Sequence, residues 1–211
     1  MLETMNGLTF RVSPDAFFQV NIPAAEELYR LVGDWAGLSR ECALLDICSG
    51  TGTIGQLYAN RVRRVIGFEL VESAVEDAKH NAELNGLTNC SYFAGRAEKT
   101  MPEVAARVQE ERVVGIVDPP RCGLRNEFAR ALMHGSDLIL RLVYVACNFK
   151  ASHTNIVDLC RKTSKRWQGD PFQLVRVRAV DLFPHTPHME VVLLLLRGAA
   201  LERWQARQAL E

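Results

Sequence analysis

LLDICSGTGTIG, residues 44–55, joins an apolar run to three closely spaced glycines, and its reading decides the fold. Asp46 stands near the end of the run, and Gly50, Gly52 and Gly55 stand where the chain turns into the next segment. Glycine lets a backbone turn tightly and lets a ligand approach it closely. An ordinary strand-to-helix turn would also use such residues. The next apolar run, VRRVIGFEL (62–70), favours a ligand: it puts Glu69 about 20 residues after the first glycine, where an acid accepts hydrogen bonds from ribose hydroxyls.

On either side the rhythm is that of an α/β chain. IPAAEELYRLVGDWA (22–36) repeats Ile22, Leu28, Leu31, Val32 and Trp35 at helical spacing. TIGQLYAN (53–60) supplies a short helix, and ESAVEDAKHNAELNG (72–86) a stronger one that Gly86 stops. CSYFAG (90–95), VVGIVDPP (113–120) and LRLVYVAC (140–147) read as strands. Helices are expected between them over 98–111 and 125–136, and again over 155–166. Then FQLVRVRAVDLF (172–183) and HMEVVLLLLRG (188–198) follow with no helix between. Too short a link for a parallel crossover, PHTPH makes these two antiparallel. The expected fold is α/β: a seven-stranded, mostly parallel, Rossmann-like sheet with helices on both faces and an antiparallel last strand. A leading segment over 1–20, one domain over 21–198 and a tail over 199–211, either a short amphipathic helix or a frayed end, complete the reading.

The chain has 211 residues, 48% hydrophobic and 24% charged, which suits one globular domain. Its 25 basic and 25 acidic residues cancel, so any nucleic-acid surface must be a local patch. No apolar run approaches the roughly 18 residues of a membrane helix, and the N-terminus lacks a signal pattern. A soluble, intracellular protein with no membrane partner is expected. The six cysteines show no C-x-x-C pair, so reduced thiols are favoured over disulfides, and no metal or iron–sulfur cluster is expected.

Asp46 stands where a diphosphate would meet an unwelcome carboxylate, so the turn suits a cofactor with a cationic end, such as the amino group of S-adenosylmethionine. The antiparallel last strand agrees, since the Rossmann dehydrogenase sheet is all parallel. VDPPRCG puts Asp118 in a rigid loop beyond a strand end, where α/β sheets bind ligands. Arg121 and Arg125 nearby could hold phosphate oxygens or simply be solvated. Cys147 ends the fifth strand, and Glu190 lies where the last two strands turn. Alone, the first reads as a small buried hydrophobe and the second as a solvated charge. Their common edge with the glycine turn raises a functional reading.

Taken in order, FRVSPDAFFQVN, LLDICSGTGTIG, GFELVESAVEDAKHNAELNG, VDPPRCGL, YVACN and DLFPHTPHMEVV resemble the RNA uracil-5-methyltransferases, from about Leu8 to about Arg197 and closest to the eukaryotic tRNA branch. The resemblance implies a class I methyltransferase domain that moves a methyl group from S-adenosylmethionine to carbon 5 of a uridine in RNA, with the T-loop uridine of tRNA expected. It implies Cys147 as the nucleophile that adds to carbon 6, and Glu190 as the base that removes the carbon 5 proton, through a transient covalent adduct. A thiolate is required, so the Cys147 pKa should be depressed or the thiol deprotonated as substrate docks. Cofactor contacts carry over to Gln19, Thr53, Glu69 and Asp118, which join Asp46, Gly50 and Gly52 of the glycine turn, and Arg121 and Asn148 are expected as weak substrate contacts. The chain departs from the family at Cys48, often aromatic, at Thr53, often Asn, and at Ala146 and Phe149, usually Ser and Pro. Family members carry RNA-binding parts ahead of this domain, so an excised domain of a longer protein, working in the cytosol with the nucleus as a second location, is expected.

Two rival readings stand beside this one. A D-P-P loop also serves N-methyltransferases, which need no covalent nucleophile. A cofactor-retaining RNA-binding or folding-helper domain would need neither Cys147 nor Glu190.

Overall fold

Asn21 begins the first helix: its side chain accepts the Ala24 N–H, Pro23 fits the first turn, and Gly37 ends the helix at φ 58°. The computed structural model describes residues 1–14, 16–99, 108, 112–134, 138–165 and 167–210. Within them helix α1 (Ile22–Ala36) precedes β3 (Cys42–Ile47), α2 (Thr53–Leu57), β4 (Arg64–Glu69), α3 (Glu72–Leu84) and β5 (Cys90–Ala94). Next come β6 (Arg112–Val117), α4 (Asn126–His134), β7 (Ile139–Ala146), α5 (Phe149–Cys160), β8 (Gln173–Val180), β9 (Glu190–Leu196) and α6 (Gly198–Gln208). No helix among the described residues is long and apolar enough to cross a membrane.

The sheet has seven strands in the order β5-β4-β3-β6-β7-β9-β8. Six of them, β3 to β8, run in one direction, and β9 enters antiparallel between β7 and β8, as the short link required. Strand order reverses between β3 and β6, which opens a crevice beyond their carboxyl ends.

Alternating residues of the buried strands feed two cores. On one face Leu44, Val114, Val143 and Leu194 pack with Leu28 and Val32 of α1; on the other, Leu45, Leu142 and Leu193 pack with Leu132 of α4 and Leu159 of α5. Both faces being covered explains why the central strands read as unbroken apolar runs.

Several boundaries differ from expectation. The leading segment contains a hairpin, β1 (Leu2–Met5) with β2 (Leu8–Arg11), turning on Asn6 at φ 46° and Gly7 at φ 78°. The last helix before β8 begins at Phe149 and not at 155, because the Asn148 side chain caps it. It ends at Cys160, and the tail is helical. Of the helix expected over 98–111, all but 98, 99 and 108 lies outside the described residues.

Candidate active site

Strand register gathers the acidic residues. Ile47 is level with Phe68 on one side and Val117 on the other, and Val117 is level with Tyr144. Glu69, Asp118 and Cys147 therefore stand within a few residues of one another along a single sheet edge, with Asp46 just inside it. Antiparallel pairing adds Glu190: the ladder between β7 and β9 ends with Ala146 opposite Val191, so Cys147 and Glu190 are the next positions across. The expectation of one shared edge holds.

The glycine turn is built around Asp46. Gly55 N–H donates to Asp46 Oδ2 at 2.9 Å, and a Cβ on Gly55 would stand 2.7 Å from that oxygen. Asp46 Oδ1 and the hydroxyl of Ser49 are buried with no partner. Burial pushes the Asp46 carboxyl up to about 7, against the Gly55 N–H and with help from Glu69. Glu69 accepts the Gly50 N–H at 2.9 Å through Oε2, and the Leu70 and Val71 N–H groups through Oε1. Gly52 takes φ 78°, and a Cβ there would meet the Tyr92 hydroxyl at 2.7 Å. Thr53 is buried, with its hydroxyl 2.9 Å from that of Thr51. Cys48 adopts φ 63°, a left-handed backbone uncommon for a residue with a side chain. Burial and the carboxylates of Glu69, Asp118 and Asp46 push its thiol up.

The second half of the site surrounds Cys147, which is half-buried. Burial, then Glu190 and Asp118, push its thiol up, while Arg121 opposes them. The free thiol is therefore not depressed, contrary to the first form of the expectation, because burial, joined by Glu190 and Asp118, outweighs one guanidinium. Glu190 is 2% exposed, its Oε2 has no partner, and burial holds its carboxyl at about 7 against Arg121. Burial, with Glu190 and Asp46, raises Asp118 well above the usual range. Three carboxyls that resist ionisation around one cleft mark a site built for something cationic or protonatable.

The loop after Asp118 is clamped from α5. Asn155 accepts the Leu124 N–H and donates to the Leu124 carbonyl, both at 2.8 Å, and the Tyr144 hydroxyl donates to it at 3.1 Å. Gly123 makes room, since a Cβ there would meet Asn155 at 2.5 Å. Arg121 lies on this clamped loop and its charge reaches both Cys147 and Glu190. Arg125 is exposed at the head of α4, where its carbonyl accepts the Phe128 and Ala129 N–H groups. Asn148 serves α5 as its cap, accepting the Ala151 N–H at 3.3 Å.

Gln19 is buried, and it opposes a rise in the Tyr29 phenol that burial causes first and Asp118 next. Sequence reading missed Tyr29, Ser49 and Tyr92. Tyr29 belongs to the apolar stripe of α1, so its helical spacing disguised it as core. Among the described residues no group of three or more His, Cys, Asp and Glu could hold a metal ion.

Residues 4–198 match the model of the family described as tRNA (Uracil-5-)-methyltransferase. The human tRNA (uracil-5-)-methyltransferase homolog A is 50% identical over 195 residues, which cover 92% of this chain and 31% of that protein. The mouse homolog B is 46% identical over 201 residues, covering 93% of this chain and 41% of that one. Among solved structures, the Pyrococcus abyssi tRNA (uracil-54, C5)-methyltransferase in complex with S-adenosyl-L-homocysteine superposes with a TM-score of 0.72 at 28% identity, covering 93% of this chain and 44% of that chain. The chain thus spans about a third to two fifths of the length of these curated relatives. It belongs to the tRNA (uracil-5-)-methyltransferase family, in the eukaryotic branch.

Proposed function

We propose that this chain is the catalytic domain of an enzyme that methylates carbon 5 of a uridine in RNA, with the T-loop uridine of tRNA as substrate and S-adenosylmethionine as methyl donor. The single observation that carries the reading is the cross-strand placement of Cys147 and Glu190, a thiol and a raised carboxyl at one edge. Family membership and the solved relative's bound S-adenosyl-L-homocysteine support the choice of cofactor.

The residues fit that cofactor. Asp46 Oδ1 and the Ser49 hydroxyl are buried polar atoms without partners, and open space lies where a Cβ on Gly50 would stand. Asp46 suits an ammonium and Glu69 ribose hydroxyls, with Gln19, Gly52, Thr53 and Asp118 lining the same crevice. When bound, S-adenosylmethionine supplies an electrophilic methyl group. Without activation, carbon 5 of uracil is a poor nucleophile. Cys147 forms a bond from sulfur to carbon 6, which drives an electron pair toward carbon 5 and the carbonyl at carbon 4. Once carbon 5 is methylated, Glu190 takes its proton, the carbon 5–carbon 6 double bond re-forms and the sulfur leaves as thiolate. Arg121 favours both anionic forms. Because the free thiol is raised, its deprotonation belongs to the docked complex.

The test is a tRNA carrying 5-fluorouridine, incubated with the chain and S-adenosylmethionine. Fluorine cannot leave as a proton, so a denaturation-resistant protein–RNA species should form and should vanish in Cys147→Ala. No such species with a tRNA that the full-length protein methylates, or turnover retained by Cys147→Ala, would sink the covalent mechanism. Retained turnover would favour direct N-methylation.

A further inference from the structure

At the sheet edge opposite the carboxylates, a cavity of about 1390 Å³ opens between the strand starts, the end of α1 and α6. Its wall is rich in arginine. Arg112 begins β6, and Arg203 and Arg207 lie one turn apart on α6. Arg141 in β7 and Arg176 in β8 each follow a register shift, an irregularity that redirects a strand's side chains.

Two of these guanidinia are fixed by backbone. Arg112 Nη2 donates to the Gly37 carbonyl and Arg141 Nη1 to the Trp35 carbonyl, each at 2.7 Å. They converge, since a Cβ on Gly37 would stand 3.4 Å from one and 3.6 Å from the other. Among the described residues, none of Arg112, Arg141, Arg176, Arg203 and Arg207 forms an ion pair with a carboxylate. The strain is visible at Arg141, lowered to about 10 by burial and then by Arg112, Arg203, Arg207 and Arg176. The wall carries two acids, Asp34, which Arg30 engages, and Glu41, which pairs with none of these five arginines. Trp204 also lines the cavity and keeps a buried Nε1–H with no acceptor.

Converging cations not paired with a carboxylate, beside an unused N–H donor, suit an anion rich in acceptor oxygens, and planar guanidinium forks match phosphate. Ligand pockets for small molecules measure roughly 300–1,000 Å³, and these arginines are strung over three strands and a helix, so a track suits them better than a single anion. The chain is neutral in sum, yet Asp46, Glu69, Asp118 and Glu190 gather at one edge and these arginines at the other. We infer that this cavity grips the phosphodiester backbone of the RNA substrate at a part remote from the reacting uridine, an inference that rests on the function proposed above. The eight residues of β7, Ile139–Ala146, separate the two edges by roughly 25 Å. A folded RNA can bridge that distance, whereas the single nucleotide reacting at Cys147 cannot.

The test compares the chain with its Arg203→Glu/Arg207→Glu variant, changed only on the exposed side of α6. Binding of a dye-labelled, unmodified tRNA transcript is measured by anisotropy across a salt series. The variant should bind at least roughly 10-fold more weakly, and its log–log salt slope should fall by about 1.4 to 1.8, the contribution of two phosphate contacts. S-adenosylhomocysteine affinity should not move, which shows that the fold is intact. Unchanged tRNA affinity and slope would overturn the inference, as would no tRNA binding by the parent chain at low salt. So would a thermal shift by inorganic pyrophosphate that the variant loses while tRNA affinity stays the same, since that marks a small-anion site. Failure of the proposed function reads out separately, as absence of the fluorouridine adduct.

Discussion

Cys147 and Glu190 face each other across neighbouring strands, one position beyond the last ladder pair of Ala146 with Val191. Opposed positions in an antiparallel pair hold their Cβ atoms about 5 Å apart, so a base bonded to sulfur at carbon 6 would bring carbon 5 to the carboxyl. Glu190→Gln should form the adduct yet fail to resolve it. With ordinary tRNA and S-adenosylmethionine, a denaturation-resistant complex carrying the transferred methyl should accumulate, and turnover should drop roughly 10²- to 10⁴-fold. Normal turnover in Glu190→Gln would assign the proton to another group.

Activity should climb with pH. Glu190 holds its proton up to about 7, and burial with Glu190 and Asp118 raises the Cys147 thiol, while both groups act as anions. The ascending limb of kcat/KM should therefore pass through pH 7 and continue upward. Arg121 lowers both groups, so Arg121→Ala should displace that limb toward alkaline pH and reduce kcat/KM at pH 7 roughly 10-fold, with a smaller deficit at pH 9. A loss equal at every pH would reduce Arg121 to a binding contact.

Asp46 should lower stability as pH rises in the absence of cofactor. Its folded carboxyl sits at about 7, above an unfolded value of about 3.9, so the folded state holds the extra proton. The resulting stabilisation is complete below about pH 4 and disappears as pH rises through 7. Asp46→Asn keeps an acceptor for the Gly55 N–H and removes the charge. At pH 8 without cofactor it should gain about 1–2 kcal/mol, at roughly 2–4 °C in Tm for each, while S-adenosylhomocysteine affinity falls at least roughly 10-fold. A lower Tm at pH 8 would contradict the assignment of a buried, uncompensated carboxylate.

Helix α3 holds the N-terminal hairpin through polar residues four apart. Asp77 accepts from Ser13 N–H and Arg11 Nε, Asn81 exchanges hydrogen bonds with the backbone of Arg11, and Asn85 does the same with Thr9. Alternate strand residues advance about 6.6 Å and four helix residues about 6.0 Å, so the two rows stay matched. Asn81 also donates to the Thr51 carbonyl at 3.2 Å, tying the hairpin to the glycine turn. Asn81→Ala should cost about 2–4 kcal/mol in chemical denaturation and also weaken cofactor binding. Unchanged cofactor affinity would separate the hairpin from the site.

Much of this was legible in the sequence. Apolar runs alternating with helical spacing determined the α/β sheet, and the link PHTPH, too short for a crossover, determined the antiparallel partner. The hairpin was legible too, in Asn6-Gly7, but its strands are only four residues each and were read as a leading segment. Asp77, Asn81 and Asn85 recur every fourth residue, a row hidden behind the apolar stripe used to find the helix. Residue types at strand ends pointed to Cys147, Glu190, Asp46, Glu69 and Asp118, and the family resemblance gave them roles. Only the tertiary structure decided that β9 lies between β7 and β8, which makes Cys147 and Glu190 opposed, and that burial, ahead of Glu190 and Asp118, pushes the thiol up and not down. Tertiary packing alone also brought Arg112, Arg141, Arg176, Arg203 and Arg207 to one wall. Local periodicity records which face of an element is buried; strand order, register and the fields of distant charges depend on which elements become neighbours.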